Sequence, residues 1–243
     1  MKTVTVVQSS YIPWKGYFDL IGLADEFVVY DDVEFSRGTW RNRNRIKTPQ
    51  GLRWLTIPIR YRGHSRARID EIETSGTSWA ADHWRALEAS YGSAPHFETY
   101  RDAVEALYRD GEERSLSRIN VRFLRALCAL LGIRTPITLS TDYEATGTGT
   151  ERLVGLLTQA GATRYVSGPA GRAYIDERAF ERAGIALEWM DYAGYAEYPQ
   201  PHPPFEHAVT VLDLLFSVGP RAPRYLKSFA PEPPPPRPAP GSR

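Results

Sequence analysis

Cysteine is nearly absent from this chain. The single Cys128 excludes an internal disulfide and any metal site built from several cysteines. Its setting in RALCALLG, among apolar residues, reads as core filling rather than as a nucleophile. No run approaches the roughly 18 apolar residues that cross a bilayer. No apolar signal region with a small-residue cleavage site leads the chain, so a cytoplasmic protein without a membrane span is expected. Excess charge of one sign is missing too: Lys and Arg total 30 against 29 for Asp and Glu, a net charge of +1. That excludes a polycation that coats nucleic acid or anionic membrane by composition alone. The GxSxG elbow, the Walker A loop and the GxGxxG fingerprint do not occur. Among the five histidines none are four residues apart, which leaves a histidine-based metal site without support.

What the chain does have is aromatic rings and alternation. Phe, Trp and Tyr make up 12% of 243 residues, and many stand beside Arg, Asn or Gly, where a ring stacks on a flat ligand or on a basic stem as readily as it fills a core. TVTVV at residues 3 to 7 reads as a strand, residues 16 to 24 as a short helix with Phe18, Ile21 and Leu23 inward, and residues 26 to 30 as a buried strand. Strand, loop, helix and buried strand within 30 residues make a βαβ unit of a parallel sheet. Helices are predicted over 78 to 92 (capped by Ser78, with Trp84, Leu87 and Tyr91 on one face), over 98 to 109 (stripe Tyr100, Val104, Leu107) and over 116 to 131, closed by Gly132. WLTIPI, IDEIET and ITLSTDY read as extended. The last third alternates again: helix 150 to 160, strand 164 to 167, helix 175 to 183, strand 185 to 190 and helix 210 to 216. The tail PEPPPPRPAPGSR, over 230 to 243, is predicted to be disordered or polyproline II.

Ten cations lie between Arg37 and Arg68 with no Asp or Glu among them. Such a local positive field attracts phosphates or an acidic partner surface; a solvated strand paired with acids elsewhere is the plainer alternative. As an extended strand, the stretch would set Trp40, Asn42 and Asn44 on one face and Arg41, Arg43 and Arg45 on the other. Nucleic acid is the less favoured ligand, since the rest of the chain offsets the charge and no known motif appears. Asp31 and Asp32 end a buried strand, where α/β sheets place ligands. Ser167, Gly168 and Arg172 belong to a glycine-containing loop that follows a strand and admits a phosphate or carboxylate. His83 and His207 are the histidines best placed for general-base work.

Larger blocks carry a resemblance. VVQSSYIPWKGYFDLIGLADEFVVYDDVEFSRGTWRNRNRI is similar to the opening of the WbqC-like protein family. WLTIPI, YGSAPHF, GATRYVSGPAGRAYI, WMDYAGYAEYPQ and FEHAVTVLDLLF follow in the family's order, so that the likeness covers residues 3 to 218. The family usually has proline after the glutamine, where this chain has Ser9. The resemblance implies a bacterial protein of surface-polysaccharide (O-antigen) or specialised-metabolite synthesis, and a transferase moving an acyl or aminoacyl group from a carrier-protein thioester to an amine. In that scheme His207 or His83 acts as base, with Asp31 or Asp213 orienting it. Ligand contacts come from Gln8, Tyr11, Trp14, Asp32, Arg37, Trp40, Asn42, Arg43, Ser167, Gly168 and Arg172, while Pro13 shapes a loop. No metal and no firm cofactor follow; a phosphopantetheine thioester on an acyl or peptidyl carrier protein, or a nucleotide-sugar, is the partner implied. A non-catalytic module that binds a nucleotide-sugar or a carrier protein is the alternative, and a nucleotidyl-transfer enzyme is a third. The expected fold is α/β, similar to the Rossmann-like nucleotidylyltransferase or HUP sheets: mostly parallel strands flanked by helices, in one domain over 1 to 229. A basic extended insertion over 37 to 75 and a helical segment over 78 to 132 complete it. The paired histidines of nucleotidylyltransferases are absent from the first loop, which argues against adenylyl transfer by that route.

Overall fold

The structure, a computed structural model, describes residues 1–60, 66–109 and 112–229. The proline-rich tail and the tip of the basic loop, with Arg62 and His64, lie outside the described residues. In chain order the elements are β1 (Thr3–Val7), α1 (Lys15–Gly22), β2 (Glu26–Val29), β3 (Arg43–Thr48), β4 (Gly51–Thr56), β5 (Ile59–Arg60), β6 (Glu73–Thr74), α2 (Ser78–Tyr91), α3 (Phe97–Arg109), α4 (Leu116–Leu131), β7 (Ile137–Leu139), α5 (Gly149–Gln159), β8 (Arg164–Ser167), α6 (Glu177–Ala183), β9 (Ala186–Trp189) and α7 (Val211–Val218).

Five strands form one parallel sheet in the order β7-β2-β1-β8-β9. Counted by appearance within the sheet, that is 3-2-1-4-5, so the direction of winding reverses between β1 and β8. Both faces are covered, as a parallel sheet requires. Val4, Val6 and Val28 pack with Leu153, Leu156 and Phe180 of α5 and α6, while Phe27 and Val29 join a larger core with Phe18, Leu124, Leu127 and Leu215 of α1, α4 and α7. Antiparallel β3 and β4 form a separate hairpin. No helix among the described residues is long and apolar enough to cross a membrane.

Local chemistry explains the boundaries. Ser115 caps α4 by accepting from the Arg118 N–H, and Gly132, at φ +74°, closes it in the left-handed conformation that glycine adopts without strain. Thr210 and Asp176 cap α7 and α6 in the same way. Cys128 is buried in α4, as its apolar neighbours suggest, and burial pushes its thiol up to about 12.

Several expectations need correction. Ser78 is the first residue of α2 and not its cap, which is Thr77. Leu23 follows α1 at its exposed end rather than turning inward. On α3 the inward stripe runs Phe97, Tyr100, Val104 and Tyr108, so Tyr108 takes the place expected of Leu107. ITLSTDY is extended only over β7 and then tightens into a 3-10 turn, and IDEIET opens with another such turn. The basic stretch is not one long strand: a turn at Gly38 (φ +71°) precedes β3, which begins at Arg43. Trp40 therefore leaves the asparagine face and packs on Trp54 at 5.3 Å, near Arg45, while Asn42 and Asn44 are buried.

Candidate functional site

At the point of reversal the chains leaving β1 and β8 diverge, and a cavity of about 570 Å³ opens between them. Open α/β sheets place their ligands at such a point, outside the carboxyl ends of the strands. Gln8 and Trp14 reach it from the loop after β1, Tyr30 from the end of β2, Ser167 and Gly168 from the end of β8, and Gly149 and Thr150 from the start of α5. Tyr17, Tyr165, Tyr174 and Tyr192 add an aromatic wall, and Arg41 enters from the turn before β3. Among the described residues no Asp or Glu lines the cavity.

Among the described residues Arg41 is its only lining cation. Nη1 donates to the backbone oxygens of Gln8 and Ser9, both at 2.7 Å, which leaves Nε and Nη2 without a partner among the described residues. Burial pulls the guanidinium down from its usual range, while Tyr17, Asp31 and Tyr174 push it back; an arginine stays charged under such a pull. The Gln8 carboxamide makes no hydrogen bond with a described residue either. Asp31 lies beneath the loop and not in the cavity. It accepts from the Ser9 N–H (2.8 Å) and from the Ser117 hydroxyl, and burial raises its carboxyl despite these bonds and Arg41. It thereby ties β2 and α4 to the loop that carries Gln8.

A second cavity of about 230 Å³ adjoins the first, sharing Val7, Trp14, Tyr17 and Arg41, and is completed by Ser10, Pro13, Trp40, Asn44 and Ala208. Its floor is strained. Ile12 sits at φ +35°, costly for a β-branched residue, and the Asn44 amide holds it there by donating to the Tyr11 and Ile12 oxygens at 3.0 and 2.9 Å. Trp14 covers Gly16 so closely that a Cβ there would stand 2.3 Å from the indole, so glycine is required for the ring to lie where both cavities share it. Tyr192 and Tyr195 meet that ring edge-on at 5.1 and 5.6 Å.

Of the residues singled out from sequence, the structure brings Gln8, Trp14, Ser167 and Gly168 to the larger cavity and Trp14 and Trp40 to the smaller. The others lie elsewhere. Tyr11 and His83 are core residues: the Tyr11 hydroxyl bonds His83 Nδ1 and the Tyr108 hydroxyl, each at 2.9 Å, and burial pulls His83 down to about 4. Asp32 pairs with Arg152 and accepts from the Ser140 hydroxyl at 2.6 Å. Asp213 accepts from Tyr91 (2.9 Å), Tyr198 (2.7 Å) and Gln200 (2.7 Å) in full burial, which raises its carboxyl despite these three donors. His207 packs edge-on against Phe205 at 4.6 Å, its Nδ1 enclosed without a partner; burial first, then the nearby Lys15 charge, lower it. Asn42 donates to the Ile57 oxygen, Arg43 donates to the Gly38 oxygen beneath Trp54, Arg172 lies exposed over Trp189, and Arg37 is on the surface. Among the described residues no group of three His, Cys, Asp or Glu is placed to hold a metal ion.

Sequence reasoning passed over the residues that define the cavity walls. Tyr30, Tyr174 and Tyr192 come from three separate loops, and the one available signal was that Tyr30 directly follows a parallel strand. Arg41 looked like its neighbours Arg43 and Arg45. Lys15 drew no attention, yet it is buried with Nζ donating to the Ala196 oxygen at 3.0 Å and facing the rings of Tyr195 (5.0 Å), Tyr198 (5.1 Å) and Phe205 (5.8 Å). Burial lowers it to about 8 against the pull of Asp19, Asp213 and Glu197.

Comparison with known proteins places this architecture in a family. The chain belongs to the WbqC-like protein family, which it matches over residues 8–225. It is 50% identical over 227 residues to the uncharacterized protein Rv1507c of Mycobacterium tuberculosis (strain ATCC 25618 / H37Rv), covering 93% of this chain and 98% of that one. No solved structure matches.

Proposed function

We propose that this WbqC-like chain binds a nucleotide-type metabolite, a phosphate attached to a polar ring, in the cavity between β1 and β8. The observation that carries the reading is Arg41: among the described residues, a guanidinium with two nitrogens free of partners in a cavity lined by no carboxylate. An anion there meets a cation and charge-assisted donors, and the tyrosines and Trp14 offer flat faces and hydroxyls for a ring. The 3-2-1-4-5 strand order supports the same reading, because Rossmann-like sheets of that order bind nucleotides at the reversal point. Nucleotide-sugars, the donors of polysaccharide synthesis, are the members of this class that fit the family resemblance.

The lining favours binding over acyl transfer. Abstraction of a proton from an acceptor amine needs a base within hydrogen-bond reach, and among the described residues no His, Asp or Glu lines the cavity. Titration calorimetry with uridine diphosphate, adenosine diphosphate and UDP-N-acetylglucosamine tests the proposal. Saturable binding is expected, weakened at least about tenfold by Arg41→Lys, which keeps the charge and loses the fork, and by Ala170→Trp, which fills the cavity from an exposed position. Undiminished affinity in Ala170→Trp would rule out this cavity as the site.

A further inference from the structure

The two adjoining cavities differ in chemistry. The larger offers partner-free groups, the Gln8 carboxamide among them, together with tyrosine hydroxyls. In the smaller, Asn44 and Tyr17 are already engaged, and Ser10 and Arg41 are the other polar side chains beside two indoles. The Asn44 amide nitrogen holds Tyr11 and Ile12, its oxygen accepts from the Arg45 N–H, and the Tyr17 hydroxyl donates to the Gln8 oxygen. Val7, Pro13, Trp14, Trp40 and Ala208 supply most of the remaining wall. Arg41 and Trp14 border both.

We infer that a single ligand occupies both cavities, with its phosphate at Arg41, its polar ring among the tyrosines and an apolar arm in the smaller cavity beside Trp40. This rests on the nucleotide reading and narrows it to a class: a nucleoside phosphate whose phosphate carries an apolar ester or anhydride substituent. Size sets the limit on the arm. An apolar cavity of about 150 Å³ takes a benzene ring, so about 230 Å³ takes a ring or a short branched acyl chain and no more.

The test compares the methyl and phenyl esters of the four nucleoside 5′-monophosphates by titration calorimetry. Both esters carry one negative charge, so their difference isolates the arm. The phenyl ester is expected to bind at least about tenfold tighter than the methyl ester, the gain of burying a ring face. Ala208→Phe, which fills the smaller cavity, is expected to bring the phenyl ester down to the affinity of the methyl ester for the same variant. Equal affinity of the two esters for the unmodified protein, or a gain that survives Ala208→Phe, overturns the inference and leaves the nucleotide reading standing. Failure of every ester and every parent monophosphate to bind overturns both.

Discussion

Replacing Lys15 by methionine is expected to stabilise the folded chain at neutral pH, although it removes a hydrogen bond. Lys15 opens α1, where the helix dipole already disfavours a cation, and it is buried among Tyr195, Tyr198 and Phe205. Its fall from 10.5 to about 8 corresponds to a net cost of keeping it charged in the fold, after the attraction of Asp19, Asp213 and Glu197 is counted. At about 1.36 kcal/mol per pH unit, that cost is on the order of 3 kcal/mol. Methionine has a similar length and no charge, and it forfeits the bond to the Ala196 oxygen, a loss of about 1 kcal/mol. The expected net gain at pH 7 is therefore about 2 kcal/mol. Between pH 8 and 10.5 the unfolded chain holds the Lys15 proton and the folded chain does not, so the unmodified protein gains stability as pH rises through that window. The advantage of Lys15→Met should shrink over the same range, vanish at about pH 9.5 and reverse by about 1 kcal/mol near its upper end. Equilibrium urea unfolding of both proteins at several pH values between 7 and 10.5 reads this directly. An increment that stays flat with pH, or a variant less stable than its parent at pH 7, would refute the reasoning and make the Lys15 charge a net stabiliser held by its acids and rings.

Asp213→Ala should lower stability by about 3 to 5 kcal/mol in the same unfolding assay, because Tyr91, Tyr198 and Gln200 lose a buried common acceptor; a loss under 1 kcal/mol would mean the three donors find other partners. Gly16→Ala should push the Trp14 ring away from a Cβ that would otherwise stand 2.3 Å from it. Altered tryptophan fluorescence and weaker nucleotide binding are the expected results, and unchanged values of both would show that the ring position is not fixed by Gly16.

The sheet was legible because its signals are local. β-branched alternation in TVTVV and the Gly132 that closes α4 each act within one strand or turn. Ser167 and Gly168 stood out because a glycine-containing loop follows a strand there, and Gln8 through the family resemblance; all three line the larger cavity. Residues whose role depends on contacts distant in sequence were not legible. Nothing near Asp213 reveals that Tyr91, 122 positions away, will hold it. Nothing near His83 reveals the Tyr11 and Tyr108 hydroxyls that, with burial, make it a core residue. Trp40 was misplaced for a local reason that was missed, since Gly38 permits a turn where an unbroken strand was expected.

Within the acid-free stretch from Arg37 to Arg68, Arg68 pairs with Asp70 and Glu71, whereas the cations around β3 are held by other means. Arg41 donates to the Gln8 and Ser9 oxygens, Arg43 to Gly38, Arg45 to Ala208 and Lys47 to Pro204. Trp54 and Trp40 lie under the guanidinium groups of Arg43 and Arg45. Carbonyl oxygens and ring faces satisfy donors and desolvated stems, yet they carry no net negative charge, so the field of these cations is oriented rather than cancelled. The same bonds serve a mechanical end. Arg41 and Asn44 fasten the loop after β1, and Arg45 and Lys47 fasten the segment before α7, so that the two cavities are walled by chain which the basic segment itself holds in place. One segment thus does two things: it fixes the geometry of the cavities, and through Arg41 it sets their sign.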